Sequence, residues 1–335
     1  MKVYTVSTDG TPYYSGTSGG ITYNVNSSGV ITNSNSAAVT GTAGFPTWNF
    51  NHTPAAVAHT YYIPTTPVLS SSFTPLGLSD DFGVALDGIP FDPLTSTCGT
   101  TSQATANKCS YRLEGRLQVT PSTPSSSYTT LRLGFDVHNG HSQSNPNAYH
   151  YHGIPCGIVA SAGASPLIAC NPMSTSNTWS NLPSTPVVVG YARDGYPMVV
   201  QNGVYSSYSV VTSASSGRTV AVSTSYPLGS FSADMTTLGT TGTSFTATNL
   251  PTNTVLGDFK YTGPSGYGTS TSALGRCNEA PNTTSTIKTL DGQQAAYVYY
   301  VTPNFPMIPR CLIGNTDGPT TTTQGFYHYS ANSSD

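Results

Sequence analysis

Charge is what this chain has least of. Only 7% of its 335 residues are Asp, Glu, Lys or Arg, against about 25% in an ordinary soluble domain. The 11 Lys and Arg are scattered and the formal net charge is −3, so no basic stripe exists to neutralise phosphates and a nucleic-acid partner gains no support. Long apolar runs are missing too. Nothing approaches the roughly 18 apolar residues of a membrane span, and the opening MKVYTVSTDG lacks the apolar centre of a signal peptide. The expectation from that opening is a mature chain whose signal is gone, or export by another route, as for virion proteins.

Helical patterning is also absent: the chain has neither long 3.6-residue periodicities nor charged i, i+4 pairs. No Gly-x-Ser-x-Gly elbow, Walker loop, HExxH or GxGxxG in a strand–helix setting occurs. No catalytic residue can be named, and the reading leans away from an enzyme. Cysteine pairs of the CxxC type are lacking, which removes the usual structural zinc site.

What the chain does have is hydroxyl, amide and ring. It carries 33 Gly, 25 Pro and 22 Tyr, and 10% of it is aromatic, which separates it from disordered chains of low hydrophobicity. Short β-branched or alternating runs, among them GITYNVNSSGVI, YTTLRLGFDV, VVVGY, RTVAVST and AAYVYYVT, are punctuated by Gly, Pro, Asn and Asp. That pattern predicts an all-β fold of sandwich or barrel type with little helix. Residues 1–60 read as hairpins packed on or extending a main body over 61–316, and 317–335 as a tail.

Six cysteines, Cys98, Cys109, Cys156, Cys170, Cys277 and Cys311, permit 15 pairings. Sequence proximity favours Cys98–Cys109, Cys156–Cys170 and Cys277–Cys311. Such bridges imply an oxidising compartment, hence an extracellular, cell-surface or virion-surface protein. Sequons at Asn26, Asn51, Asn282 and Asn332 offer glycosylation sites, although a Ser/Thr-rich chain generates several by chance.

Self-comparison shows an internal repeat. Gly83-Val-Ala-Leu-Asp87-Gly88-Ile-Pro90 recurs as Gly190-Tyr-Ala-Arg-Asp194-Gly195-Tyr-Pro197. Both read GxAxDGxP, a tight turn in which Gly88 and Gly195 take positive φ and the proline fixes the exit, so Asp87 and Asp194 are assigned to turns rather than to acid–base chemistry. An alternating aromatic run follows each copy: Tyr149-His150-Tyr151-His152 and Tyr297-Val298-Tyr299-Tyr300. The expectation is a duplicated β unit over about 78–172 and 186–316.

Four of the seven histidines fall within one stretch, His138 and His141 in FDVHNGH and His150 and His152 in YHYHG. On a strand His150 and His152 share a face, because side chains alternate with period two. The Asn-Gly turn can return His138 and His141 towards that face, with Asp136 as a further ligand or as the acceptor that orients a histidine. Imidazole suits transition metals, and copper or zinc is the expected ion. His52, His59 and His328 stay unassigned.

DVHNGH…YHYHG, the two GxAxDGxP turns and YVYYVTPNFPMIPRCLIG together resemble the YHYH-domain proteins, a family named for the tetrad at 149–152. The similarity covers about residues 58–316. It implies the fold and an exported or surface location, without an established activity. In the second half Val298 and Tyr300 stand where another histidine pair would fall, so one metal site is expected rather than two. A self-associating fibre or virion subunit is the competing reading, because uncharged surfaces associate readily. A metal-dependent hydrolase or oxidase is the third.

Overall fold

The computed structural model describes residues 59–76, 80–93, 139–142, 149–161, 182–210 and 259–316, together with short strand segments elsewhere. The fold is all-β. The first strands are β1 (Val3–Thr8), β2 (Gly16–Ser18), β3 (Ile21–Val25), β4 (Ile31–Asn33), β5 (His59–Pro64) and β6 (Leu69–Pro75). They are followed by β7 (Gly83–Ala85), β8 (Pro90–Phe91), β9 (Gln118–Val119), β10 (Leu131–Arg132), β11 (Gly140–Ser142) and β12 (Tyr149–Tyr151). After the one described helix, α1 (Cys156–Ser161), come β13 (Val187–Ala192), β14 (Pro197–Val200), β15 (Tyr208–Val210), β16 (Arg218–Ala221) and β17 (Ser244–Ala247). The last four are β18 (Phe259–Tyr261), β19 (Glu279–Pro281), β20 (Tyr297–Tyr300) and β21 (Cys311–Gly314).

Eight of these strands make one sheet in the order β11-β12-β8-β7-β13-β14-β20-β19. Neighbours run antiparallel except β12 with β8 and β14 with β20, which are parallel. The order reads the same from either edge once the two sequence repeats are superposed. At the centre Gly83 pairs with Ala192, Val84 with Tyr191 and Ala85 with Gly190, so exchanging the two repeats maps the pairing onto itself. The flanking bonds obey the same exchange: Leu86 N donates to Val189 O at 2.9 Å and Arg193 N to Phe82 O at 2.8 Å. A pseudo-twofold axis therefore passes between β7 and β13, the geometry of a self-complementary interface contained in one chain.

The repeated motif makes this pairing physically possible. A β-carbon on Gly83 would lie 2.3 Å from Tyr191 O, and one on Gly190 2.4 Å from Val84 O, so the two central strands approach as closely as they do only with glycine at both positions. At the turns Gly88 has φ 85° and Gly195 φ 91°. Asp87 Oδ1 accepts from Ile89 N at 3.2 Å and Asp194 Oδ1 from Tyr196 N at 3.3 Å, which closes each turn through the aspartate side chain.

The two faces of the sheet differ. One is covered by a continuous apolar core that takes Phe91, Tyr149 and Tyr151 from the first half, Met198, Val200 and Tyr299 from the second, Ile158 and Val159 from α1, and Cys311, Leu312 and Ile313 from β21. The other is divided. Over β5 and the centre lie Tyr61, Ile63 and Val84. Over the second half lies a separate cluster of Val199, Leu274, Ala280, Ile287, Val298 and Tyr300. Over the first half lie Asp92, His150 and His152.

Cys277 and Cys311 are bonded, fastening β21 beside the second half. Cys156 is disulfide-bonded as well, while Cys98, Cys109 and Cys170 lie outside the described residues. Among those residues no helix is long and apolar enough to cross a membrane.

Candidate metal centre

Alternation along β12 sends its side chains to two destinations. Tyr149 and Tyr151 enter the continuous core, their rings edge to face at 5.5 Å. His150 and His152 emerge on the divided face, their ring centroids 4.7 Å apart and steeply inclined. The strand is held on both sides: His152 N donates to Asn139 O at 2.8 Å and Asp92 N to Tyr151 O at 2.9 Å. Asn139, at φ 59°, turns the chain into β11 and anchors it by donating from Nδ2 to Ile154 O at 2.7 Å.

Because β12 runs parallel to β8 with Tyr151 opposite Phe91, the residue after Phe91 falls beside the two histidines. That residue is Asp92. Its carboxylate and one nitrogen from each of His150 and His152 all lie within 4.8 Å of one another. All three residues are buried, at 4%, 4% and 8% relative exposure. Ligand atoms about 2.0–2.2 Å from a shared ion are at most about 4 Å apart, so a small inward movement of side chains closes the set. Among the described residues this is the one group of His, Cys, Asp and Glu side chains that converges in this way.

Sequence reasoning placed His150 and His152 on one face but did not find Asp92, which comes from the first GxAxDGxP hairpin. Asp136 and His138 lie outside the described residues. His141 is the main-chain partner of His150 across the β11–β12 ladder, and its side chain is outside what the structure describes. Of the four sequons, only Asn282 is described with its side chain. Its Nδ2 donates to Ile287 O at 3.2 Å and Ala295 O at 3.0 Å, and its Oδ1 accepts from Thr284 N at 2.9 Å.

The profile of the YHYH protein family matches residues 60–314, most of the chain and all of the eight-stranded sheet. The chain belongs to the YHYH protein family. No curated protein and no solved structure matches it.

The YHYH tetrad now has a physical reading in this chain. Its tyrosines enter the continuous core and its histidines are buried on the opposite face of the same strand, separated by period-two alternation alone. The twofold relation carries the comparison to the second half, where Tyr299 pairs with Met198 as Tyr151 pairs with Phe91. Asp92, His150 and His152 then correspond to Val199, Val298 and Tyr300. All three counterparts belong to the apolar cluster of the second half. Aligning the two repeats as far as FDP against MVV would have drawn attention to Asp92, since it sets a carboxylate against a valine.

The second half of the YHYH unit holds its polar groups on the core side instead. Tyr299 Oη donates to Asp194 Oδ2 at 2.5 Å and accepts from Ile313 N at 2.6 Å, and Asp194 Oδ2 also accepts from Gly314 N at 2.8 Å. Burial pushes the Asp194 carboxyl up to about 6, against the lowering effect of these donors. Glu279 is fully buried, with Oε1 accepting from Gly268 N at 3.0 Å and Oε2 from Cys277 N at 2.9 Å. Burial likewise pushes its carboxyl up to about 7. Each of these carboxylates ties separate segments together through main-chain donors, which is a structural task. In the first half the matching bond is Tyr151 Oη to Asp87 Oδ2 at 2.8 Å, in a less buried setting.

Proposed function

We propose that this YHYH protein is an exported or surface module that holds one divalent transition-metal ion through Asp92, His150 and His152. The observation that carries the reading is the convergence of three buried ligand atoms, from two strands distant in sequence, within 4.8 Å. Two imidazoles and a carboxylate are a donor set for zinc, copper, iron or nickel rather than for calcium or magnesium, which take mainly oxygen. Zinc and copper are the ions to test first.

Low charge and bonded cysteines support an oxidising location. Cys277–Cys311 is formed and Cys156 is also bonded, and such bonds do not persist in a reducing cytosol.

The test is a zinc and a copper titration of protein purified without a histidine tag, alongside Asp92→Asn, His150→Ala and His141→Ala. The reading expects about one equivalent bound by the wild type, with affinity lost in the first two variants. His141→Ala tells whether position 141 contributes. Binding that survives Asp92→Asn combined with His150→Ala contradicts the assignment.

A further inference from the structure

The three candidate ligands stand where the rest of the molecule puts a hydrophobic core. Under the pseudo-twofold relation Asp92, His150 and His152 take the places of Val199, Val298 and Tyr300. Those three are exposed by 0%, 1% and 4% and pack with Leu274, Ala280, Ile287 and Ala295. The first half is also closed at these positions, its three residues being exposed by no more than 8%. One position class thus has two solutions in one sheet: apolar burial at one end, and two imidazoles with a carboxylate at the other.

These solutions draw their stability from different sources. Valine and tyrosine side chains gain free energy by leaving water, whereas two imidazoles and a carboxylate gathered on one cation draw stability from binding it, because the ion favours the folded arrangement that presents all three. Among the described residues, β12 meets β8 at one parallel pair, Tyr151 with Phe91. In the second half β14 and β20 share two, Met198 with Tyr299 and Val199 with Tyr300.

We propose that the ion bound by Asp92, His150 and His152 takes the place of an apolar core on the divided face of the first half, so that metal occupancy sets the order of β8, β11 and β12 while the second half stays folded without it. This rests on the metal-binding reading above and extends it: the cation acts as a conditional structural element confined to one of two otherwise equivalent halves. A protein built this way is rigid throughout where the ion is plentiful and loosened at one end where it is scarce.

The experiment is amide hydrogen exchange on the full chain, first loaded with zinc and then stripped by a chelator. Two probes are related by the twofold axis, His152 N bonded to Asn139 O and Tyr300 N bonded to Asn278 O, each at 2.8 Å. The expected result is exchange at the His152 and Asp92 amides that rises tenfold or more on chelation, with the Tyr300 amide unchanged. Zinc that binds with no effect of its removal on His152 overturns this inference and leaves the metal-binding reading intact. Equal loosening of both halves also overturns it. Absence of zinc binding overturns the metal-binding reading itself. A second variant, Asp92→Val with His150→Val and His152→Tyr, copies the apolar solution into the first half; its His152-position amide is expected to be protected with or without chelator, and chelator-sensitive protection there contradicts the proposal.

Discussion

His150 and Val298 occupy the same place in the two halves of one sheet, each between two tyrosines on its strand and facing away from the core those tyrosines enter. One is a candidate ligand and the other an apolar core residue, although the backbone around them is paired alike. Exchanging them should therefore have opposite consequences. His150→Val is expected to weaken zinc binding roughly 100-fold or more, judged against the 10–100-fold effects of less direct partners. Val298→His should bring no metal and destabilise by about 2 kcal/mol, from a polar ring placed among Leu274, Ala280 and Ile287. Zinc titration and urea unfolding of both variants check this.

The core-side tyrosines offer a second contrast. Tyr299 Oη both donates to Asp194 and accepts from Ile313 N, all three being fully buried or nearly so. Tyr299→Phe leaves a buried carboxylate and a main-chain N–H without that partner and is expected to cost about 2–3 kcal/mol. Tyr151→Phe removes the bond to the half-buried Asp87 and should cost about 1 kcal/mol. Equal losses in urea unfolding contradict the difference in burial.

Stability should depend on pH in a direction opposite to that of ordinary salt-bridged carboxylates. Asp194 and Glu279 have folded-state values pushed up to about 6 and about 7, from 3.8 and 4.5. The folded state therefore binds protons more readily than the unfolded chain. The contribution of these two groups is fully present below about pH 4, falls as pH rises through 4 to 7, and is flat above that. Unfolding at fixed temperature across pH 4–8 measures it, and Asp194→Asn should flatten the slope below pH 6.

Asn282 lies in a sequon, yet its amide is already committed to Ile287 O and Ala295 O. A glycan on Nδ2 replaces one of its two hydrogens and so breaks at least one of these bonds. Secretion from a glycosylating host should leave the Asn282 peptide unmodified, which intact peptide mass reads directly.

Much of this architecture is legible in the sequence because its determinants are local. Period-two alternation in YHYH separates tyrosines from histidines, and GxAxDGxP declares a turn whose first glycine also serves the close approach of β7 to β13. The repeat of that motif announces two halves, and the proximity of Cys277 to Cys311 anticipates their bond. Asp92 was not legible in the same way. It reaches the histidines only through the parallel pairing of β12 with β8, a contact between segments far apart in the chain, and such pairings leave no periodic trace at either end. The same holds for the tie from Tyr299 to Asp194, whose partner residue had been explained by its turn alone.

The central claim is that two imidazoles and one carboxylate share an ion, and X-ray absorption at the metal edge of the zinc-loaded, tag-free protein tests it most directly. The account predicts a first shell of nitrogen and oxygen at about 2.0–2.1 Å, with the outer-shell scattering of two imidazole rings, both lost when His150 and His152 are replaced together. A spectrum of hydrated zinc, or one unchanged by that double replacement, contradicts it.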